Sequence, residues 1–351
     1  MQENSCRLLN NVKDRRKAMQ ENRIKHDRGL LRWVTALMII GTVMALFVSP
    51  ALAQNYPTKP ISMIVPFAPG GGTGIAARVI ANYVQPYLGQ SIVVVNKPGA
   101  AGQIGWSALA KAQPDGYTIG FVNSPAILLV KMLRENVPFQ MSDFIHIASI
   151  QLDPAVIVVH PDSPFKTMKD LVEFAKKNPG KLNLGGDGPQ GNYHLQAVVV
   201  EKQLGFKTNF VSYNGSGPTI TAILGQQIDA AIPGISSATP HLEAKRLRAL
   251  ALVDREKFAL LPGIPLIKEA TGVDVSPIGA SMRGISVPKG VSEDKIKVLE
   301  GAFAKLMKDP KFIEKAMEMG IPLKYMNSKQ FSEALLRDEK ELAGYVNIFK
   351  E

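Results

Sequence analysis

What most limits how this chain of 351 residues can fold is a repeated unit. A short apolar run leads into a loop of Gly, Ser, Pro or Asn, and the loop leads into an amphipathic stretch. From Ile61, "ISMIVPF" reads as a buried strand and "APGGGTG" as a loop. A helix follows, with Ile75, Val79, Tyr83 and Tyr87 spaced by four beside Ala76, Ile80, Val84 and Leu88, until Pro86 and Gly89 mark its end. The unit recurs as "SIVVVN", the loop "KPGAAGQIG" and a helix to about residue 112. The turn "PDGY" then opens the strand "YTIGFVN". Further on come "KLNLGG", "DGPQGN" and the helix "YHLQAVVVEKQLG"; then "TNFVSY", "NGSGP" and "TITAILGQQ"; then "IDAAIP", "GISSATP" and "HLEAKR"; and last the strand "LRALALV". The helix "TMKDLVEFAKKN" has Thr167 as its N-cap and Pro179-Gly180 as its stop. From "EDKIKVLEGAFAKLMKDP" to the end the pattern is helical. This alternation predicts an α/β protein with parallel sheets and helices on both faces, in a chain long enough for two domains.

On such sheets ligands bind beyond the carboxyl ends of the strands. Those ends are the Gly/Ser-rich places here: after Phe67, Asn123, Leu184, Tyr213 and Pro233. Helices start beyond them, and a helix N-terminus offers unpaired N–H groups and partial positive charge. The pattern predicts a cleft that grips an anion largely with backbone amides.

The same loops exclude several chemistries. Gly70, Gly71, Gly72 and Gly74 do not form G-x-G-x-x-G in register, and no Gly-Lys-Ser/Thr follows, so a nucleotide loop is not expected. Ser216 in "NGSGP" lacks the G-x-S-x-G elbow and reads as a turn residue. His146, His160, His194 and His241 show no metal-ligand spacing. His194 has two readings, a ligand contact or a polar helix-start residue. Asp229 likewise reads as a ligand acceptor or as a surface-turn residue. With no paired-carboxylate, metal or nucleophile motif, the loops look built for binding rather than acid–base work. No cofactor and no metal are expected.

The N-terminus reads as an export signal. A basic stretch with Arg23, Lys25, Arg28 and Arg32 precedes an apolar run from Trp33 to Val48, then Pro50 and the small-x-small site Ala51-Leu52-Ala53. Residues 1–53 are therefore expected to be a signal peptide with an extended N-terminus, cleaved after Ala53. "MQEN" occurs at Met1 and again at Met19, so Met19 is a second candidate start. Cleavage takes away nine Lys/Arg and four Asp/Glu, which lowers the net charge from +11 to +6. That mild excess favours anions and is no nucleic-acid footprint. The only cysteine, Cys6, leaves with the leader, so no disulfide is expected.

Five stretches together resemble the solute receptors of tripartite tricarboxylate transporters, also called Bug-type receptors: "YPTKPISMIVPFAPGGGTGIAARVIA", "VVVNKPGAAGQIGWSALAKAQPDGYTIGF", "FVSYNGSGPTITAILGQQIDAAI", "RLRALALV" and "RGISVPKGVSEDKI". They span nearly all of the chain after the leader. The resemblance implies a periplasmic, non-enzymatic receptor of the two-domain periplasmic-binding-protein fold (type II-like), with its ligand cleft between the domains. Such a receptor closes on a small carboxylate and delivers it to membrane permease subunits. A same-fold sensor serving a signalling partner and an enzyme on this scaffold are the alternatives, and a monomer is the expected state. The implied domains are 56–155 plus 279–351, and 156–278, with crossings near residues 155 and 278.

The resemblance also implies ligand loops at Pro69, Gly70, Gly71, Gly72, Thr73 and Gly74, and at Asn123 and Ser124. The second domain would add Gly188, Gln190, Gly191 and His194, then Tyr213, Gly215 and Ser216, then Pro233 and Ser236. Three departures stand out. Gly74 replaces the family's Asp, which removes an acidic partner for a ligand amine. Gly188-Pro189-Gln190-Gly191 replaces Gly-x-Gly-Ser. Ser281-Met282-Arg283 stands where an aromatic is common, which leaves Arg283 either beside the hinge or in the cleft against a distal carboxylate.

Overall fold

The computed structural model describes residues 17, 19, 38 and 56–349, so the leader, its Ala53 cleavage site and the choice of start lie outside the described residues. Among the described residues no helix is long and apolar enough to cross a membrane.

Two sheets carry the chain from Tyr56. The first holds β1 (Ile61–Val65), β2 (Ile92–Asn96), β3 (Thr118–Ser124), β4 (Phe144–Asp153), β10 (Ser281–Pro288) and β11 (Leu323–Asn327), in the order β11-β4-β10-β3-β1-β2. The second holds β5 (Ala155–Val159), β6 (Asn183–Asp187), β7 (Asn209–Tyr213), β8 (Ala230–Ala231) and β9 (Arg248–Val253), in the order β7-β6-β8-β5-β9. The chain passes to the second sheet at Pro154, between two adjoining strands, and returns between Val253 and Ser281. Helices cover both faces, so β1 buries Ile61, Met63, Ile64 and Val65 almost completely, as a two-sided strand must.

Five helices border the space between the sheets: α1 (Gly72–Tyr83), α2 (Ala126–Leu133), α3 (Asn192–Leu204), α4 (Ser216–Leu224) and α5 (Ile235–Glu243). The capping read at Thr167 is present, its hydroxyl accepting the Asp170 N–H at 3.2 Å.

Several expectations are corrected. The sheets are mixed: β10 runs antiparallel to β3 and β4, β11 antiparallel to β4, and β5 antiparallel to β8 and β9. Direction depends on which strands meet, and local pattern does not carry that. The tail is not all helix. Gly320 and Pro322 stop one helix, and "LKYMN" adds to the sheet edge as β11. "GISSATP" is mostly helix, because α5 begins at Ile235 and keeps Pro240 inside it. Its first amides find acceptors, Ile235 N–H on Pro154 C=O and Ser236 N–H on Asp153 Oδ1, which offsets the bond Pro240 cannot make. α4 likewise starts within "NGSGP", at Ser216. The helix after the glycine loop ends at Tyr83 and a short one restarts at Gln85; its buried residues include Ala76, Ala77, Val79 and Ile80, with Ile75 and Tyr83 half-buried.

Candidate functional site

The base of the site is set by strand register. Asn123 of β3 lies opposite Arg283 of β10, and Ser281 lies opposite Asp153 of β4. Arg283 is 2% exposed. Its Nη2 sits 2.6 Å from Asp153 Oδ2 and donates to the Tyr193 hydroxyl at 3.0 Å, while Nη1 reaches Ser236 Oγ at 3.2 Å and Nε reaches Ser281 Oγ at 3.2 Å. Asp153 Oδ2 also accepts from the hydroxyls of Ser236, at 2.7 Å, and Tyr193, at 3.0 Å. The pair is dry, yet each partner is hydrogen-bonded, which a buried charge requires. Burial, reinforced by the Asp153 charge, pushes the Tyr193 phenol well above its ordinary value and keeps it a donor.

Helix starts form the walls, and they are not alike. α3 is capped by Asp187, whose Oδ1 accepts the N–H groups of Tyr193 at 3.0 Å and His194 at 3.1 Å. The start of α5 is satisfied by Asp153 and Pro154. α1 and α4 follow the N-cap residues Gly71 and Gly215, which have no side chain to cap with. Gly72 N–H donates to Ser237 Oγ at 2.7 Å, but the Thr73 and Ser216 amides have no partner among the described residues. The α1 start, partly satisfied by Ser237, and the α4 start therefore face one space from opposite sheets.

That space is a cavity of about 20 Å³, room for about one water molecule. It is lined by Phe67, Gly71, Gly72, Thr73, Asn123, Asp187, Asn192, Tyr193, Gly215, Ser216, Ser281 and Arg283. Burial pushes the Asp187 carboxyl up to about 7, against the pull of the helix amides and of Arg283. The sheets meet closely around it: Ala68 N–H donates to Asn214 C=O at 3.1 Å, and a methyl on Gly217 would overlap Pro69 C=O. At the far rim Arg134, just past α2, donates to Ala100 C=O and Gln103 Oε1 on its own side. Across the gap it donates to Gln190 Oε1 at 2.7 Å and Pro189 C=O at 2.8 Å.

Of the residues singled out in the sequence, the structure brings Gly71, Gly72, Thr73, Asn123, Gly215 and Ser216 to the cavity wall. Ser236 reaches its base through Asp153 and Arg283. Arg283 lies in the cleft, which settles its placement. The others stand elsewhere. Pro69, Gly70 and Tyr213 line a separate outer groove. Gly74 C=O accepts from Arg78, and Ser124 Oγ bonds Asp338. Gly188 packs on Ala101, Gln190 is held by Arg134, and Gly191 is the α3 N-cap. Pro233 C=O accepts the Val156 N–H. His194 accepts the Gln190 N–H at 2.9 Å and stacks on Phe210 with centroids 4.1 Å apart; burial pushes its imidazole down to about 4. It is a packed helix-start residue. Asp229 accepts the Asn183 N–H at 2.8 Å, a strand-end role.

Sequence reading did not assign Asp153, Asp187, Ser281 or Phe67 to the site, while Asn192 and Tyr193 lie within the implied loop from Gly188 to His194. A signal was present for two of them: each Asp ends an apolar strand run directly before a Pro- or Gly-containing turn, where its carboxylate can meet helix amides. Among the described residues no group of His, Cys, Asp and Glu could hold a metal ion.

Comparison with known proteins fits this geometry. Residues 76–346 match the model of the tripartite tricarboxylate transporter family receptor. Protein BugT of Bordetella pertussis is 32% identical over 75% of this chain and 81% of its own length. A solved periplasmic transporter is 30% identical with a TM-score of 0.77, covering 84% of this chain and 98% of that one. The structure of the periplasmic binding protein BugD is 28% identical, with a TM-score of 0.76 and the same coverage.

Proposed function

The chain belongs to the tripartite tricarboxylate transporter receptor family, and on that premise we propose that it captures one small carboxylate in the cavity between its sheets and hands it on unchanged. The fold is the two-domain periplasmic-binding-protein fold of its relatives. The observation that carries the proposal is the pair of helix starts, α1 and α4, each with an unpartnered amide among the described residues, at Thr73 and Ser216, on the wall of one cavity and on different sheets. An anion between them accepts from the amides of Thr73 and Ser216 and draws on both helix dipoles. Because the two helices sit on different sheets, one bound carboxylate ties the sheets together, so binding and closure become one event.

The closed cavity has room for about one water molecule, so a small di- or tricarboxylate enters as the sheets part, with Arg283 at the base for a second carboxyl. We take 56–155 with 279–351, and 156–278, as the two bodies that close, hinging at the two crossings. The cavity holds no nucleophile–base pair, which supports carriage over turnover. The chain acts as a monomer, exported by its leader, and delivers its cargo to the permease subunits of a tripartite transporter.

Native mass spectrometry of residues 54–351 as purified, followed by release and identification of any ligand, tests this. A di- or tricarboxylate at one per chain is the expected result. A released nucleotide or metal overturns it, as does a panel of small carboxylates that fails to bind.

A further inference from the structure

Asn123 is 1% exposed and lines the cavity. Its Nδ2 donates to Thr73 Oγ1 at 3.0 Å and approaches Ser281 Oγ at 3.5 Å. Its Oδ1 is buried and has no hydrogen-bond partner. A buried acceptor left unpaired costs free energy, and this one belongs to a residue of the cavity wall. A plain carboxylate cannot satisfy it, since an ionised carboxylate only accepts.

Next to it the polarity reverses. Thr73 Oγ1 accepts from Asn123, so its own proton is free to be donated, and the Thr73 amide is a second donor at the α1 start. Donors at Thr73 and an acceptor at Asn123 thus stand side by side, about one hydrogen bond apart. A carboxylate with a hydroxyl on the neighbouring carbon has the complementary pattern: the carboxylate accepts from Thr73, and the hydroxyl donates to Asn123 Oδ1. Asn123 is held in place by its register opposite Arg283 on the sheet, so the acceptor is preorganised.

We propose that the cavity selects hydroxycarboxylates, with Asn123 Oδ1 as the acceptor that reads the hydroxyl. This rests on the carboxylate reading above. Asn123 is then a specificity-determining residue rather than a general anion contact.

Titration calorimetry with three matched pairs tests it: malate against succinate, 2-hydroxyglutarate against glutarate, and citrate against tricarballylate. The hydroxylated member of at least one pair should bind roughly ten- to hundredfold tighter, the range for leaving a buried polar group unpaired. Asn123→Ala should bring that pair to near equality, while Thr73→Val should weaken both members alike. The comparison on the unmodified protein stands even if a variant does not fold. Equal or better binding of the unhydroxylated acids overturns the hydroxyl reading and leaves the carboxylate reading in place. A preference that survives Asn123→Ala removes Asn123 from the role. No binding by any of the six overturns both readings.

Discussion

Arg283 Nη2 lies 2.6 Å from Asp153 Oδ2 in a setting where their side chains are 3% and 0% exposed. Both residues come from the first sheet, while two of the hydroxyls that complete their bonding, on Tyr193 and Ser236, come from helices of the second. The ion pair thus joins the two sheets at the base of the cavity. Removing one partner leaves a buried charge uncompensated. Arg283→Met and Asp153→Asn should each cost roughly 3–5 kcal/mol. The double variant should cost less than the sum, since it leaves neither charge alone. Urea denaturation of the four proteins checks this; additive losses would mean that the pair contributes little as a pair.

Closure depends on Gly72 more than on its neighbour. A methyl at Gly72 would overlap Ser236 Oγ and come within 2.6 Å of Arg283 Nη1, whereas one at Gly71 would meet nothing nearer than 3.5 Å. Gly72→Ala should weaken ligand binding by at least about tenfold and also lower the unfolding free energy, because the methyl displaces Ser236 and Arg283 in the buried network. Gly71→Ala should bind nearly as the unmodified protein does. Calorimetry on both variants decides it, and equal affinities would rule out steric control at Gly72.

Arg134 holds the rim shut through its bonds to Gln190 and Pro189 on the opposite side. Arg134→Ala should shift the ligand-free protein toward an open form. Small-angle scattering should then show a larger radius of gyration without ligand and an unchanged one with saturating ligand. Identical ligand-free scattering curves would mean that the clasp does not hold the closed form.

Ligand binding should depend on pH through Asp187, whose carboxyl is pushed up to about 7 by burial and lies on the cavity wall. A bound anion raises it further, so binding takes up a proton. Affinity should therefore rise as pH falls from about 8 to 6, by at most about tenfold per unit, for a ligand fully ionised across that range. Asp187→Asn should flatten the profile. A dissociation constant that does not change with pH in the unmodified protein would contradict this.

Much of the scaffold was legible because it is local. The strand "ISMIVPF", the glycine loop and the helix after it are neighbours in sequence, and burial periodicity and glycine conformation act within a few residues. Local pattern also marked the strand ends after Phe67, Asn123 and Tyr213, and the family resemblance named the six residues there that line the cavity wall. Where a distant partner intervened, local reading failed. "GISSATP" read as a loop before a helix at His241, but amide acceptors from Asp153 and Pro154, far away in the chain, let α5 begin at Ile235.

Taken alone, the sequence determined where most of the turns fall, which segments are buried and which family it resembles. Only the tertiary structure decided which loops share a cavity. It set β10 between β3 and β4, which put Arg283 beside Asn123 and Asp153. It also decided which helix-start amides are already bonded, on α3 by Asp187, on α5 by Asp153 and at Gly72 of α1 by Ser237, and which have no partner among the described residues, Thr73 of α1 and Ser216 of α4. The reason is physical: a hydrogen bond or ion pair depends on distance in space, and these partners meet only when strands remote in sequence pair side by side.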